Sequence, residues 1–380
     1  MTKQFAFPSL ILALLLAIAL PARAIPVPAA PGVDAKSYIV MDAHSGRIVA
    51  SEDPDQRVEP ASITKMMTAY VVFHALKEGT ISMDDMVPIS EKAWREPGSR
   101  MFVEVGNKVS VRNLIQGMVI QSGNDASVAL AQYVAGAEST FADLMNHYAK
   151  QLGMDHTHYA NATGLPHAEH YTTAHDIARL ARALIREFPE DYKMFSEKEF
   201  TWNGIHQDNR NTLLWRDPSV DGIKTGHTES AGYCLVASAK QGEMRLISVV
   251  MGASTEKARI DSSQALLNYG FRFFETHRLY GAGEKLTTAT VWKGEQDDVA
   301  VGLNKDLYVT IPRGTYKKLS ASMDLRSQLT APVTASEDVG RVKVTLDGKD
   351  VAQAPLIALK PVAEGGLWTR LVDSVVLWFK

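Results

Sequence analysis

Three short polar motifs in a fixed order restrict this chain more than anything else in it. Ser62-Ile63-Thr64-Lys65 opens a helical pattern, Ser122-Gly123-Asn124 sits between two further helical patterns, and Lys224-Thr225-Gly226 leads into a strand pattern. A fold that uses all three must set a helix start beside a strand. A serine hydroxyl is a poor nucleophile at neutral pH and needs an adjacent base. Residues three apart share a helix face, so Lys65 can reach Ser62. Lys65 acts as a base only when neutral, and burial together with a second ammonium, Lys224, pushes its pKa down. The first helical turn also offers free backbone N–H groups, so the Ser62 amide can donate to an oxyanion. Ser122 supplies a hydroxyl able to relay a proton to a leaving amine. Asn124 can orient substrate or Lys65. Lys224 and Thr225 form a cationic, hydrogen-bonding place for a substrate carboxylate, and Gly226 lets substrate backbone approach the strand edge. S-x-x-K alone is weak, expected ~1–2 times by chance at average usage. A second copy, Ser254…Lys257, follows Lys224-Thr225-Gly226, has no S-x-N after it and is set aside.

Composition narrows the class. At ~100–200 residues per domain, 380 residues suggest two domains. Apolar residues make up 46% and charged residues 22%, ordinary globular usage. A net charge of −3 is too balanced for a nucleic-acid binder. A single cysteine, Cys234, excludes an intramolecular disulfide framework and any zinc site built from several thiolates. In its strand pattern Cys234 reads as a small buried apolar residue.

Both ends are apolar in distinctive ways. Lys3 precedes the unbroken run Leu10–Leu20, and Ala22-Arg23-Ala24 follows it. That is the layout of a secretory signal cleaved after Ala24; an uncleaved anchor is the alternative. At the other end Leu367, Trp368, Leu371, Val372, Val375, Val376 and Phe379 fall at helical spacing, with Arg370, Asp373 and Ser374 opposite. The segment is too short to cross a bilayer, which takes ~20 apolar residues. It reads as an amphipathic helix in the membrane surface, or else as a terminal helix docked on its own domain.

Between the ends, Ser37–Ala50 has the pattern of a hairpin. Helical patterns cover Ile63–Leu76, Val111–Met118, Asp125–Val134 and Ala174–Ile185. Trp202–Leu214 is polar and irregular, Gly232–Ala239 and Arg245–Gly252 look like strands, and a helix is expected from Arg259 to about Thr276. Strands therefore open and close a mixed α/β domain with helices in the middle. Beyond it, Thr288–Trp292, Leu307–Ile311, Leu319–Ser322 and Val342–Leu346 suggest a small all-β domain. The expected division is 1–24 signal peptide, 25–283 catalytic domain, 284–360 β-rich domain and 361–380 amphipathic helix.

With Pro60-Ala61-Ser62-Ile63-Thr64-Lys65, Gln121-Ser122-Gly123-Asn124-Asp125-Ala126 and Gly222-Ile223-Lys224-Thr225-Gly226-His227-Thr228, the chain resembles the low-molecular-mass penicillin-binding proteins of the D-alanyl-D-alanine carboxypeptidase class. The resemblance implies a penicillin-binding, serine β-lactamase-like transpeptidase fold and no cofactor or metal. It implies that Ser62, activated by Lys65, attacks the carbonyl between the last two D-alanines of a peptidoglycan stem pentapeptide. Backbone N–H groups of Ser62 and His227 would form the oxyanion hole. Ser122 would pass a proton to the departing D-alanine, and Lys224 and Thr225 would hold its carboxylate. β-Lactam antibiotics would acylate Ser62. Arg210 and Arg259 match family positions near the site, or are ordinary ion-paired arginines. The implied location is the periplasmic face of the cytoplasmic membrane, with the β domain available to cell-wall synthesis proteins.

Two other functions compete. A β-lactamase would need a deacylating base, commonly a glutamate in an E-x-x-L-N context, and none lies between Ser122 and Lys224. A non-catalytic scaffold would not need the intact trio. His156, His158, His167, His170 and His175 hint at zinc, but without H-E-x-x-H they read as a solvated loop.

Overall fold

The computed structural model describes residues 27–378. The expected signal, 1–24, lies outside them, as do Phe379 and Lys380.

The N-terminal hairpin forms as β1 (Ser37–Asp42) and β2 (Ile48–Glu52). A 3-10 turn, Ala61–Thr64, runs straight into α1 (Lys65–Lys77). The short elements β3 (Met86–Pro88), α2 (Glu91–Arg95) and β4 (Lys108–Ser110) lead to α3 (Val111–Val119) and α4 (Asn124–Ala135). There follow α5 (Glu138–Gln151), α6 (Ala174–Glu187), the hairpin β5 (Glu199–Trp202) and β6 (Ile205–Asp208), and one turn, α7 (Leu213–Arg216). Strands β7 (Val220–Thr228), β8 (Gly232–Gln241) and β9 (Met244–Ala253) then precede α8 (Glu256–Phe273).

Five strands make one sheet in the order β2-β1-β9-β8-β7, so the first hairpin closes on the last strand. The mixed α/β domain is indeed built from both its ends. Alternation along each strand divides the core into two layers. Ile39, Met41, Val236 and Ile247 face the helical side with α1, α4 and α6. Tyr38, Val40, Leu235 and Leu246 face α8 through Leu266 and Leu267.

The C-terminal part is β-rich. Its strands are β10 (Phe274–Tyr280), β11 (Thr287–Trp292), β12 (Asp298–Gly302), β13 (Leu307–Pro312), β14 (Leu319–Leu325), β15 (Leu329–Thr330), β16 (Asp338–Leu346) and β17 (Lys349–Ala358). Six of them order as β14-β16-β17-β12-β11-β15, and β10 pairs with β13. The final helix, α9 (Leu367–Trp378), is amphipathic.

Three local readings change. The helix expected to reach Thr276 ends at Phe273, because Phe274–Tyr280 pairs antiparallel with β13 and buries Thr276. The irregular stretch after Trp202 contains a hairpin turning at Asn203-Gly204, both at positive φ; its exposed residues hide the strand pattern. Helix α5 was not expected, since Ala137 offers no capping side chain.

A polar clamp joins the first hairpin to the β-rich part. Asp42 is fully buried, and Oδ1 accepts from the amides of His44 and Ser45 and from the Ser45 hydroxyl. Its Oδ2 accepts from Thr276 at 2.9 Å. The Ser45 and Thr310 hydroxyls share a hydrogen bond at 2.6 Å, and Arg47 donates to the Thr310 carbonyl at 2.7 Å.

Candidate active site

Ser62 lies in the 3-10 turn and Lys65 begins α1, so the i, i+3 relation holds across the junction. Lys65 Nζ is completely buried. It lies 3.0 Å from Ser62 Oγ, 2.7 Å from Asn124 Oδ1 and 2.6 Å from the Thr163 carbonyl. The Asn124 amide is oriented by its other end, which donates to the Pro97 carbonyl at 2.6 Å. Burial, seconded by the charge of Arg210, pushes the Lys65 pKa down to about 7. A neutral amine has two N–H donors and one lone pair. Asn124 Oδ1 and Thr163 O can only accept, so they take both donors. The lone pair is left for the Ser62 hydroxyl, which then donates to it. The ammonium can satisfy the same three neighbours by donating to each, so the contacts serve both forms, and it is burial that favours the one able to act as a base.

Ser122 lies in the link between α3 and α4 with φ at +69°, a left-handed conformation unusual for a residue with a Cβ. It is buried, and its Oγ has no partner among the described residues. Asp125, next to the motif, holds the facing loop by accepting from the amides of Met101, Phe102 and Val103.

The third motif lies inside β7, the edge strand of the sheet. Lys224 is buried and donates to the Thr225 carbonyl at 3.1 Å. Burial, then the charges of Lys65, Arg210 and Arg259, push its pKa well below the usual lysine value. Gly226 has a reason beyond the one expected. A Cβ there would lie 3.1 Å from the Pro60 carbonyl and 3.2 Å from the Ile63 amide nitrogen. The glycine lets β7 touch the Ser62 turn. The exposed His227 ring stacks on Tyr233 with centroids 4.0 Å apart.

These elements enclose a cleft of about 460 Å³ lined by Ser62, Ser122, Thr225, His227, Arg210 and Arg259, among others. Lys65, Asn124 and Lys224 stand behind its wall. Arg259 is buried, pairs with Glu256 at 2.6 Å and sits over Tyr233, 5.6 Å from the ring centroid. Both arginines therefore join the cleft. The discarded second motif lies elsewhere: Ser254 is bound to Asp34, and Lys257 to Asp261.

Several contributors lie outside the motifs. Asn161 Oδ1 accepts from the amides of Thr163 and Gly164, which aims the Thr163 carbonyl at Lys65. Gly164, at φ +85°, lies so close to the Ala61 carbonyl that a Cβ would stand 1.8 Å from it. His170 is buried, not solvated as expected. Its Nδ1 accepts from the Ala160 amide, so Nε2 carries the proton and donates to Thr64 Oγ1 at 2.8 Å. Burial pushes its pKa down to about 4. Among the described residues, the metal-type donors that gather are the exposed Glu199, His206 and Asp208 instead. Cys234 is buried, and burial pushes its thiol up to about 11.

Residues 25–255 match the D-alanyl-D-alanine carboxypeptidase family, and residues 274–364 match the C-terminal domain of penicillin-binding protein 5. The D-alanyl-D-alanine carboxypeptidase DacA of Escherichia coli (strain K12) is 45% identical over 361 residues, 93% of this chain and 90% of that one. Penicillin-binding protein 5 from Haemophilus influenzae superposes with a TM-score of 0.84 at 44% identity, over 88% of this chain and 99% of that one. Penicillin-binding protein D2 from Listeria monocytogenes, solved in an ampicillin-bound form, gives 0.59 at 30% identity, over 63% of this chain and 100% of that one. With the motifs arranged around one cleft and both parts of the chain matched, this protein belongs to the D-alanyl-D-alanine carboxypeptidase family of low-molecular-mass penicillin-binding proteins.

Proposed function

We propose that this serine-type carboxypeptidase works through an acyl-enzyme on Ser62, with Lys65 as its base. The observation that carries the proposal is the Lys65 environment: a buried amine 3.0 Å from the Ser62 hydroxyl, anchored by Asn124 Oδ1 and the Thr163 carbonyl, with a pKa pushed down to about 7. Lys65 takes the hydroxyl proton as Ser62 Oγ bonds to the carbonyl carbon between the last two D-alanines. The carbonyl oxygen becomes an oxyanion facing the backbone N–H groups of Ser62 and His227. Collapse breaks the C–N bond, and the proton now on Lys65 reaches the departing amine through the unpartnered Ser122 hydroxyl. A water, deprotonated by Lys65, then hydrolyses the ester and leaves a tetrapeptide. Thr225, with Arg259 and Arg210 on the cleft wall, receives the terminal carboxylate, and Lys224 holds the Thr225 segment of β7 from behind through its hydrogen bond to the Thr225 carbonyl.

Purified protein should release D-alanine from a stem pentapeptide, and Ser62→Ala should not. Mass spectrometry should place a penicillin adduct on the Ser62 peptide. An adduct elsewhere would refute the assignment.

The finer placement is also proposed. The chain is exported, and α9 rests on the periplasmic surface of the cytoplasmic membrane. Leu367, Trp368 and Trp378 are 84%, 80% and 85% exposed, and no residue of α9 is buried. Its polar side holds the β-rich part instead, through Asp373 accepting from the Lys293 amide and Arg370 paired with Glu364 at 2.7 Å. No helix among the described residues is long and apolar enough to cross a membrane. Removal of 366–380 should release the protein from membranes with activity intact; unchanged fractionation would refute the anchor.

A further inference from the structure

The β5–β6 hairpin carries a cluster for which the mechanism has no use. Its register sets Glu199 opposite Asp208 and Thr201 opposite His206. Side chains two apart on a strand share a face. Glu199, Thr201, His206 and Asp208 therefore stand together on the outer face, and all four are exposed. Phe200 and Gln207 take the inner face and are buried. A paired backbone, seated on the domain by its reverse side, thus presents the cluster.

Three of the four side chains bear metal-ligating atoms of two kinds, one imidazole nitrogen and two carboxylates. His206 Nε2 lies 3.2 Å from Asp208 Oδ1 and 3.9 Å from Glu199 Oε2. One such atom of each residue falls within 4.8 Å of the other two. Ligand atoms bound tetrahedrally at ~2.0–2.1 Å stand ~3.4 Å apart. Small rotations of exposed side chains would close the triad on an ion.

The pairing itself favours a cation. Like charges directly opposite each other in a ladder destabilise it, and Glu199 and Asp208 are such a pair. Neither carboxylate meets a lysine or arginine among the described residues. A neutral imidazole beside them adds a lone pair and no charge. The mixed donors say which ion fits. Magnesium and calcium prefer oxygen ligands alone. One imidazole with two carboxylates suits zinc, with water in the fourth position.

We infer that Glu199, His206 and Asp208 form a surface site for a zinc-class divalent ion, apart from the Ser62 cleft. Such an ion would cross-link the two strands from which the cleft wall continues. Asp208 is two residues before Arg210, which lines the cleft. Asn209, between them, is buried, and its amide donates to the Lys198 carbonyl at 2.7 Å. Gln207 donates to the Arg100 carbonyl at 3.4 Å, next to Ser99 of the cleft wall. The site stands whether or not the carboxypeptidase reading does.

The test is calorimetric titration of zinc into purified protein stripped with a chelator. One zinc should bind per chain with micromolar affinity and raise the melting temperature, and chelator should reverse the rise. His206→Ala, and Glu199→Gln with Asp208→Asn, should each weaken binding about tenfold or more. Both variants should still acylate with penicillin and melt like the zinc-free wild type, which separates loss of the site from loss of the fold. Zinc-edge X-ray absorption of wild type should show nitrogen and oxygen ligands and no sulfur. Absence of zinc binding would overturn the site. So would displacement of zinc by an equal concentration of magnesium or calcium. Full affinity in His206→Ala would place the zinc on other histidines and overturn it too.

Discussion

Lys65 does two things at once: it is buried like a core residue and bonded like a base. Its folded pKa of about 7 makes the neutral fraction rise through neutrality. Penicillin acylation of Ser62 should therefore climb with pH through about 7 and then level off, with stopped-flow rates as the check; a flat profile from pH 5 to 9 would contradict the role. His170 gives the opposite kind of pH dependence. Its folded pKa of about 4 lies below the ordinary histidine value of 6.5, so between them the unfolded chain binds the extra proton. The stability it contributes is whole above pH 6.5 and is lost as pH falls toward 4. Denaturation midpoints of wild type should drop across that window, and His170→Asn should flatten the drop. The motif side chains were readable because each cluster is contiguous and chemically distinctive. Thr163 was not, since it contributes only a backbone carbonyl, which any residue has. Asp125 was passed over because its work is to hold the amides of a loop. Arg210 and Arg259 stand alone in the sequence, and only folding brings them to the cleft.

At the scale of elements, the junction of β7 with the Ser62 turn decides how accurately the nucleophile meets its substrate. Gly226→Ala would push a methyl against the Pro60 carbonyl and the Ile63 amide, both backbone and unable to swing aside. At 3.1–3.2 Å the two segments must part by a few tenths of an ångström, less than the ~1 Å misplacement that costs about a hundredfold. Acylation should fall by roughly threefold to tenfold, short of that hundredfold, while the melting temperature moves only a few degrees; normal acylation would show the contact to be unimportant. Strand and helix patterns with a strong period were legible. Strands β8 and β9 could be read because central strands are apolar throughout, and α6 because its apolar and polar faces separate cleanly. Strands β12 and β17 carry a weaker pattern, with glycine or proline near their ends and several exposed positions. The end of α8 was misplaced because Phe273 and Phe274 suit either structure, and only pairing with β13 decides between them.

At the scale of the molecule, the Asp42 clamp ties the catalytic part to the β-rich part. Its carboxylate accepts four hydrogen bonds in a buried place, so Asp42→Ala leaves several donors unpaired. At ~1 kcal/mol or more each, a loss of about 3 kcal/mol in chemical denaturation is expected; an unchanged midpoint would mean that the clamp is incidental. No motif announces this clamp, because its members are far apart in the chain. The open edge of β7 has a last consequence. An unpaired strand edge is a template on which another chain can add, and soluble proteins commonly guard it with charge. Here the edge borders a cleft where Arg210 and Arg259 stand, and a second copy docking its own β7 would bring the same cations with it. An extended stem with a terminal carboxylate brings the opposite sign. One arrangement of charge would thus admit the proposed substrate and disfavour pairing of two copies through this edge.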